Sequence, residues 1–362
     1  MLYFCTLFDN NYLSRGLAMY ESLRDNCNDF HLYILAFNDI SYTILTDLKL
    51  PNCSIINLSD FENEQLLKIK TKRSIAEYCW TCTPSLIYYC IKTFNLPHCT
   101  YIDADLYFYS NPNILIEELG NDSILLSPHW YTSVYDKSTL TGIYCVQFLT
   151  FKNDNHSLEA LNWWKNACIE WCYARFEDGK FGDQKYLDDW LKKFQYIHIL
   201  TNKGGGFAPW NIQQYKPVKS NNTFYYNKYD KKYYNVIFYH FHDIIFRNDN
   251  KIDFGTYFIP RWAKKRFYYP YLKHFFKIEE NLKNKYNYSF HNIKIVNKPI
   301  IDNLLTLIQK YYILKYIFFV IFDVILKKLK NKKEIRIIKL QPILKKVLFN
   351  RNIYSIKKIL ED

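Results

Sequence analysis

Cys99-Thr100-Tyr101-Ile102-Asp103-Ala104-Asp105-Leu106-Tyr107-Phe108 is the stretch on which the fold turns. It reads as a buried strand carrying two carboxylates one residue apart. Alternation along a strand puts Asp103 and Asp105 on the same face. Aspartate is a poor strand residue, yet here two of them interrupt a run of Tyr, Ile, Leu and Phe. Neighbouring carboxylates repel unless a hard cation sits between them. At the C-terminal end of a strand in an α/β sheet, that cation faces the ligand crevice. The bland alternative is a solvated turn, since Asp-x-Asp alone is a weak motif.

The segments around this strand alternate strand and helix. Leu2–Phe8 reads as a first strand, and Leu13, Leu17, Tyr20 and Leu23 recur at helical spacing. Phe30–Phe37 and Ser54–Leu58 read as further strands. Ile75–Thr93 reads as helical, with Pro84 placed to begin a new helix at its first turn. Ser123–Ser127 and Ile143–Phe151 add strands, Ser157–Arg175 a helix, and Val236–His242 a late strand. This order predicts an α/β sheet flanked by helices with right-handed crossovers.

Bulk properties narrow the class. The 362 residues suffice for one large domain and an appendage, and 49% hydrophobic with 19% aromatic content excludes a disordered chain. Met1–Phe8 is short, lacks a basic start and runs into Asp9, so it does not read as an export signal. No stretch offers about 18 uncharged apolar residues. Ten cysteines without such a signal suggest free thiols in a reducing cytoplasm. Cys79-x-x-Cys82 and Cys168-x-x-x-Cys172 have zinc-like spacing, but their aromatic flanks favour buried structural thiols. The net charge of +13 is uneven: residues 301–362 carry fourteen Lys or Arg against five acids. All ten cysteines lie before residue 173. A catalytic body over residues 1–270 and a helical, basic, amphipathic region over 271–362 account for this change of character.

Four features then coincide: the Asp-x-Asp strand, Gly182-Asp183-Gln184 ahead of a helix, the Gly204–Asn211 loop, and His240-Phe241-His242. Together they resemble the nucleotide-sugar glycosyltransferases of the GT-A fold, most closely the glycogenin-like family eight and its bacterial relatives in surface-glycan synthesis such as lipopolysaccharide or capsule. The resemblance covers about residues 1–270. It implies a Rossmann-like mixed sheet flanked by helices and a retaining transfer of a hexose from a UDP-sugar, with Mn²⁺ or Mg²⁺ as cofactor. Asp103, Asp105 and His240 resemble the family's metal ligands, and Asp103 also touches the donor diphosphate. Thr6, Asp9, Asn11 and Tyr12 resemble its base-binding segment. Asp183 and Gln184 match the Asp-Gln pair beside the transferred sugar. Trp210 and Asn211 fall in the loop that shapes the acceptor side. Gln147 contacts the sugar or pairs with backbone. The family's late motif continues with Gly and Lys, whereas here Phe241, His242 and Asp243 follow, with Arg247 as the nearest cation. Arg73 is the substitute for an Arg that this chain lacks after Tyr78. Asp183 has a plainer reading as a helix start, and His242 as a rim histidine.

Ile300, Leu304, Leu307, Ile308 and Tyr311 recur at helical spacing, as do Leu344, Val347 and Leu348, beside Lys327–Lys333 and Lys345, Lys346, Lys357 and Lys358. Such a region suits the anionic inner face of the cell membrane, where a lipid-linked glycan acceptor is found; a helical cap with a solvated face is the alternative. Two other function classes remain. A nucleotidyltransferase would show a Gly-rich basic loop after the first strand, and Leu7–Arg15 lacks that glycine cluster. A nucleic-acid-binding protein is suggested by the net charge and Arg261–Tyr271, but most of the excess charge lies past residue 300.

Overall fold

The computed structural model describes residues 1–218, 221–287, 293–294 and 353–361. In chain order its first eight strands are β1 (Leu2–Phe8), β2 (Phe30–Ala36), β3 (Cys53–Asn57), β4 (His98–Ile102), β5 (Leu106–Phe108), β6 (Ile124–Pro128), β7 (Tyr144–Lys152) and β8 (Ile197–Ile199). Seven of them form one sheet in the order β3-β2-β1-β4-β7-β6-β8. The β3-β2-β1-β4 half is parallel, with Leu2 to Phe8 in register with Phe30 to Ala36. Beyond β4 the direction changes. β7 runs antiparallel to both β4 and β6, and β8 is parallel to β6. The sheet is therefore mixed, and β4, which precedes the two aspartates, stands where the parallel half meets the antiparallel half.

Both faces of the sheet are covered, as the continuous apolar runs of β1 and β2 require. Successive residues of β1 serve opposite cores: Phe4 packs with Leu17, Phe30 and Tyr271, and Cys5 with Cys82, Leu86, Cys90 and Cys99. On the first face lie helix α1 (Leu13–Asn26) and, much later in the chain, a helix at Tyr269–Tyr286. On the second lie α2 (Ile75–Thr93) and α3 (Asn155–Glu170). Helix α2 passes through Pro84 without stopping, contrary to the expected new start. A proline removes one helical hydrogen bond and crowds the preceding turn. Burial of Cys82, Leu86, Ile87 and Cys90 against the sheet and α3 outweighs that local cost.

Four strands after the main sheet carry the chain back to the site: β9 (Tyr215–Val218), β10 (Asn221–Asn227), β11 (Tyr233–Asn235) and β12 (Phe238–His240). The first three form an antiparallel sheet, and β12 pairs antiparallel with β5. The helix at Tyr269–Tyr286, here α4, then latches onto the first face. Ser14 Oγ donates to Glu279, and His274 bridges Tyr107 Oη and Glu21. Tyr271, Leu272 and Phe275 are buried in the same core as α1.

The end of the chain also returns to this body. β13 (Ile245–Arg247) pairs with β14 (Lys251–Asp253), and with β15 (Ile293–Lys294) on its other side. β14 pairs with β16 (Ile353–Ser355), and a final helix α5 (Ile356–Glu361) packs against α4. Tyr354 stacks on Phe254, ring centroids 4.9 Å apart, and accepts a hydrogen bond from the buried Lys264; Ile359 is fully buried. The helical patterns read at Ile300–Tyr311 and Leu344–Leu348, and the Lys327–Lys333 cluster, lie outside the described residues. Among the described residues no helix is long and apolar enough to cross a membrane.

If the closing strand and helix are part of the folded body, Tyr354→Ala and Ile359→Ala should each lower stability by about 2–4 kcal/mol, as other buried large-to-small changes do. Urea unfolding would measure this, and changes below about 0.5 kcal/mol would show a segment merely lying on the surface.

Candidate active site

The two aspartates do not lie on a strand. β4 stops at Ile102 and β5 begins at Leu106, so Asp103-Ala104-Asp105 is a turn closed by Leu106 N–H donating to Asp103 O, 3.2 Å. Gln147 O on β7 accepts the Asp103 N–H at 3.1 Å and fixes the start of the turn. The carboxylates converge because the turn brings them together, not through strand alternation.

The third group arrives by register. β12 is matched to β5 with His240 opposite Leu106, and Phe241 N–H donates to Asp105 O at 2.9 Å. His240 Nε2 lies 3.1 Å from Asp105 Oδ1 and 3.8 Å from Asp103 Oδ2. One ligand-type atom from each residue fits within 4.8 Å of the others. Two carboxylate oxygens and one imidazole nitrogen are a donor set for Mn²⁺ and, less well, Mg²⁺. Electrostatics point the same way. Burial raises the Asp103 carboxyl to about 6, with Asp105 adding to the shift and His240 opposing it. Burial acts equally on Asp105, but His240, His242 and Arg15 outweigh it and hold Asp105 at about 2. His240 is pushed well above the usual histidine range, since Asp105 and Asp103 overcome its burial. The site favours positive charge between the carboxylates.

Asp183 lies close enough to Asp103 for their charges to interact. It stands at the start of the helical turn Gln184–Asp189, but it is buried and its side chain does not cap that turn. Burial, then the nearby Asp103 charge, raises its carboxyl to about 8. Its backbone is pinned by Trp164 Nε1 donating to Asp183 O at 2.9 Å, and Gly182 before it takes φ +52°. Gln184 Nε2 donates to Thr141 O.

The other expected residues divide. Asp9 caps the turn Asn10–Tyr12 at the end of β1, accepting from the N–H groups of Asn11 and Tyr12 and from Asn11 Nδ2. Thr6 is fully buried on β1, its Oγ1 without a partner. Tyr12 is 40% exposed, and the Arg15 guanidinium packs 4.3 Å from its ring centroid. The Trp210 ring stands 5.2 Å from His240 and 5.5 Å from His242, forming one wall. Asn211 is fully buried and pins the loop, donating to His129 O and Gly206 O. Gly206 has no room for a Cβ because the Trp130 ring lies against it. The side chain of Gln147 is fully buried and meets His240 Nδ1 at 2.7 Å, in place of the expected pairing with backbone.

Arg73 needs correcting. Its guanidinium donates to the carbonyls of Cys168, Ile169 and Cys172 and to Thr81 Oγ1, closing the C-terminus of α3. Exposed C-terminal carbonyls attract a cation as a phosphate does, and here they hold it. Arg247 is likewise turned to Asp249. Among the described residues a cation near Asp105 is Arg15, buried, donating to Ile244 O and flanked by the Tyr12 and Phe246 rings. Sequence reading passed over it, since α1 looked purely structural; a basic residue on an apolar helix face was the available signal. A second cluster, Cys5, Cys90 and Cys99, is sealed in the core away from this cleft.

No family model matches the chain. Over 220 residues it is 33% identical to the uncharacterized protein YfnF of Bacillus subtilis (strain 168), covering 59% of this chain and 73% of YfnF. The chain belongs to the family of YfnF. A second B. subtilis protein, the uncharacterized YfnD, is 28% identical over 279 residues, 75% of this chain and 87% of YfnD. Among solved structures, galactosyltransferase LgtC in complex with donor and acceptor sugar analogs matches with a TM-score of 0.50 at 12% identity, over 78% of this chain and all of LgtC. This likeness gives this member of the YfnF family the GT-A fold of glycosyltransferases.

The buried Asp183 carboxyl has a stability consequence of definite sign. With its folded value raised to about 8, the native state holds a proton that the unfolded chain releases above its ordinary value. Stability is therefore lost as pH rises through that window. Asp183→Asn should match the parent near pH 4 and exceed it by up to about 4 kcal/mol near pH 7. Urea unfolding in excess chelator checks this; an equal or weaker variant at pH 7 would show that the carboxylate is well accommodated.

Proposed function

We propose that the protein is a metal-dependent, retaining glycosyltransferase that moves a hexose from a UDP-sugar to a glycan or lipid-linked glycan. The observation that carries the reading is the convergence of Asp103, Asp105 and His240 in the cleft of a GT-A fold. Asp103, Asp105 and His240 would hold the cation, which would supply positive charge for the donor diphosphate. When bound, the cation neutralises the charge that grows on the leaving phosphate. Arg15 adds a fixed positive charge beside Asp105. The segment Asp9–Tyr12 receives the base.

Asp183, neutral near pH 7, donates a hydrogen bond to the transferred sugar, and Gln184 stands beside it in place of a carboxylate nucleophile. That favours front-side attack. The anomeric C–O bond to the diphosphate breaks, the acceptor oxygen bonds to the same face, and the hydroxyl proton passes to the leaving phosphate oxygen. Tyr131 and Trp210, whose ring centroids lie 6.2 Å apart, offer an aromatic surface to the acceptor. The basic region past residue 300 suits an acceptor at the inner face of a membrane.

Release of UDP from a panel of UDP-sugars with Mn²⁺ tests the reading. Excess EDTA or Asp105→Ala should cut turnover about a thousandfold, since both remove charge stabilisation in the transition state. Full activity in either case refutes the cation role. Asp183→Asn should lower kcat by about a hundredfold or more while UDP–Mn²⁺ affinity, measured by calorimetry, changes little. Equal losses in both would move Asp183 into the nucleotide site.

A further inference from the structure

Gln147 is polar, fully buried and set in the apolar strand Tyr144–Lys152. Its main chain and side chain each hold one of the three ligand-type residues. The carbonyl accepts the Asp103 N–H at 3.1 Å, and Oε1 lies 2.7 Å from His240 Nδ1. Nε2 of the same amide has no partner. A side-chain carbonyl oxygen can only accept, so the contact requires the hydrogen of His240 to be on Nδ1. The other nitrogen, Nε2, is the one directed at Asp103 and Asp105.

We propose that Gln147 is a positioning residue whose Oε1 takes the Nδ1 hydrogen of His240, so that Nε2 is the nitrogen presented to the cation held with Asp103 and Asp105. This inference rests on the cation reading above. An imidazole binds a metal only through an unprotonated nitrogen, and the partner of its second nitrogen decides which one that is. The Gln147 amide also fixes the ring plane. The backbone bond to Asp103 belongs to the same residue, so β7 sets the position of a carboxylate and the imidazole together. Full burial beneath His240 separates this role from direct contact with donor or acceptor.

The test uses the full chain and Mn²⁺ alone, without nucleotide. Gln147→Met keeps the size and the backbone bond but removes the acceptor; Gln147→Glu keeps an acceptor oxygen. Mn²⁺ affinity by electron paramagnetic resonance should fall about 10- to 100-fold in Gln147→Met, the usual cost of losing such a partner. Gln147→Glu should recover most of it. Imidazole ¹⁵N spectra with Mg²⁺ should show His240, assigned by loss of its signal in His240→Asn, as the Nδ1–H tautomer in the parent and in Gln147→Glu. In Gln147→Met that preference should be lost. Unchanged Mn²⁺ affinity and tautomer in Gln147→Met overturns the inference alone. Equal loss of affinity in both variants with the tautomer retained also overturns it, showing a packing role. A parent protein that binds no Mn²⁺ overturns the cation reading, and this inference with it.

Discussion

Two carboxylates at one turn, both largely withdrawn from water, are the constraint that organises this structure. Like charges so placed need positive charge between or beside them. The chain supplies His240 through the pairing of β12 with β5, and Arg15 from the first helix. The long detour between β8 and β12, with its glycine-rich loop and small antiparallel sheet, ends by laying His240 against Asp105. Pairing β12 with a strand that starts one residue after Asp105 leaves little freedom in where that imidazole goes.

The same economy appears in the supporting residues. Asn211 is buried and holds the Gly204–Asn211 loop shut against His129, which lets Trp210 stand over His240. Gly206 brings its backbone close to the Trp130 ring, where a side chain would not fit. Lys185 and Asp188 form a half-buried ion pair, and Asp188 accepts the Ile143 N–H, tying the segment before β7 to the turn that carries Asp183. These contacts tie the loops and turns around the three ligand-type residues to one another. Asp183 is the cost of that arrangement: a buried carboxyl raised to about 8 by its burial and by the nearby Asp103 charge.

The α/β class, the parallel first strands and the break that Asp103 and Asp105 make in a buried run were legible in the chain. Each is a local pattern: apolar runs of strand length, helical spacing between them, and acids where a strand should continue. The reading of His240 and Asp183 needed the family resemblance, because nothing in the spacing of nine histidines singles out one of them. The errors were also physical. Pro84 looked like a boundary because local propensity ignores burial on two sides. Arg73 looked free for phosphate because the carbonyls that hold it come from about a hundred residues later in the chain.

The sequence by itself determined the alternation of strands and helices in the first half of the chain, that two acids interrupt a buried run, and that the last sixty residues are basic. Only the tertiary structure decided that the acids lie on a turn, that Arg15 and not Arg73 supplies the nearby cation, and that Gln147 reaches His240. The physical reason is range. Backbone preference and hydrophobic period act between neighbours and can be read along the chain. A hydrogen bond or ion pair between residues 93 or 229 positions apart, as in Gln147 with His240 and Arg15 with Ile244, exists only after strand order and register have been set.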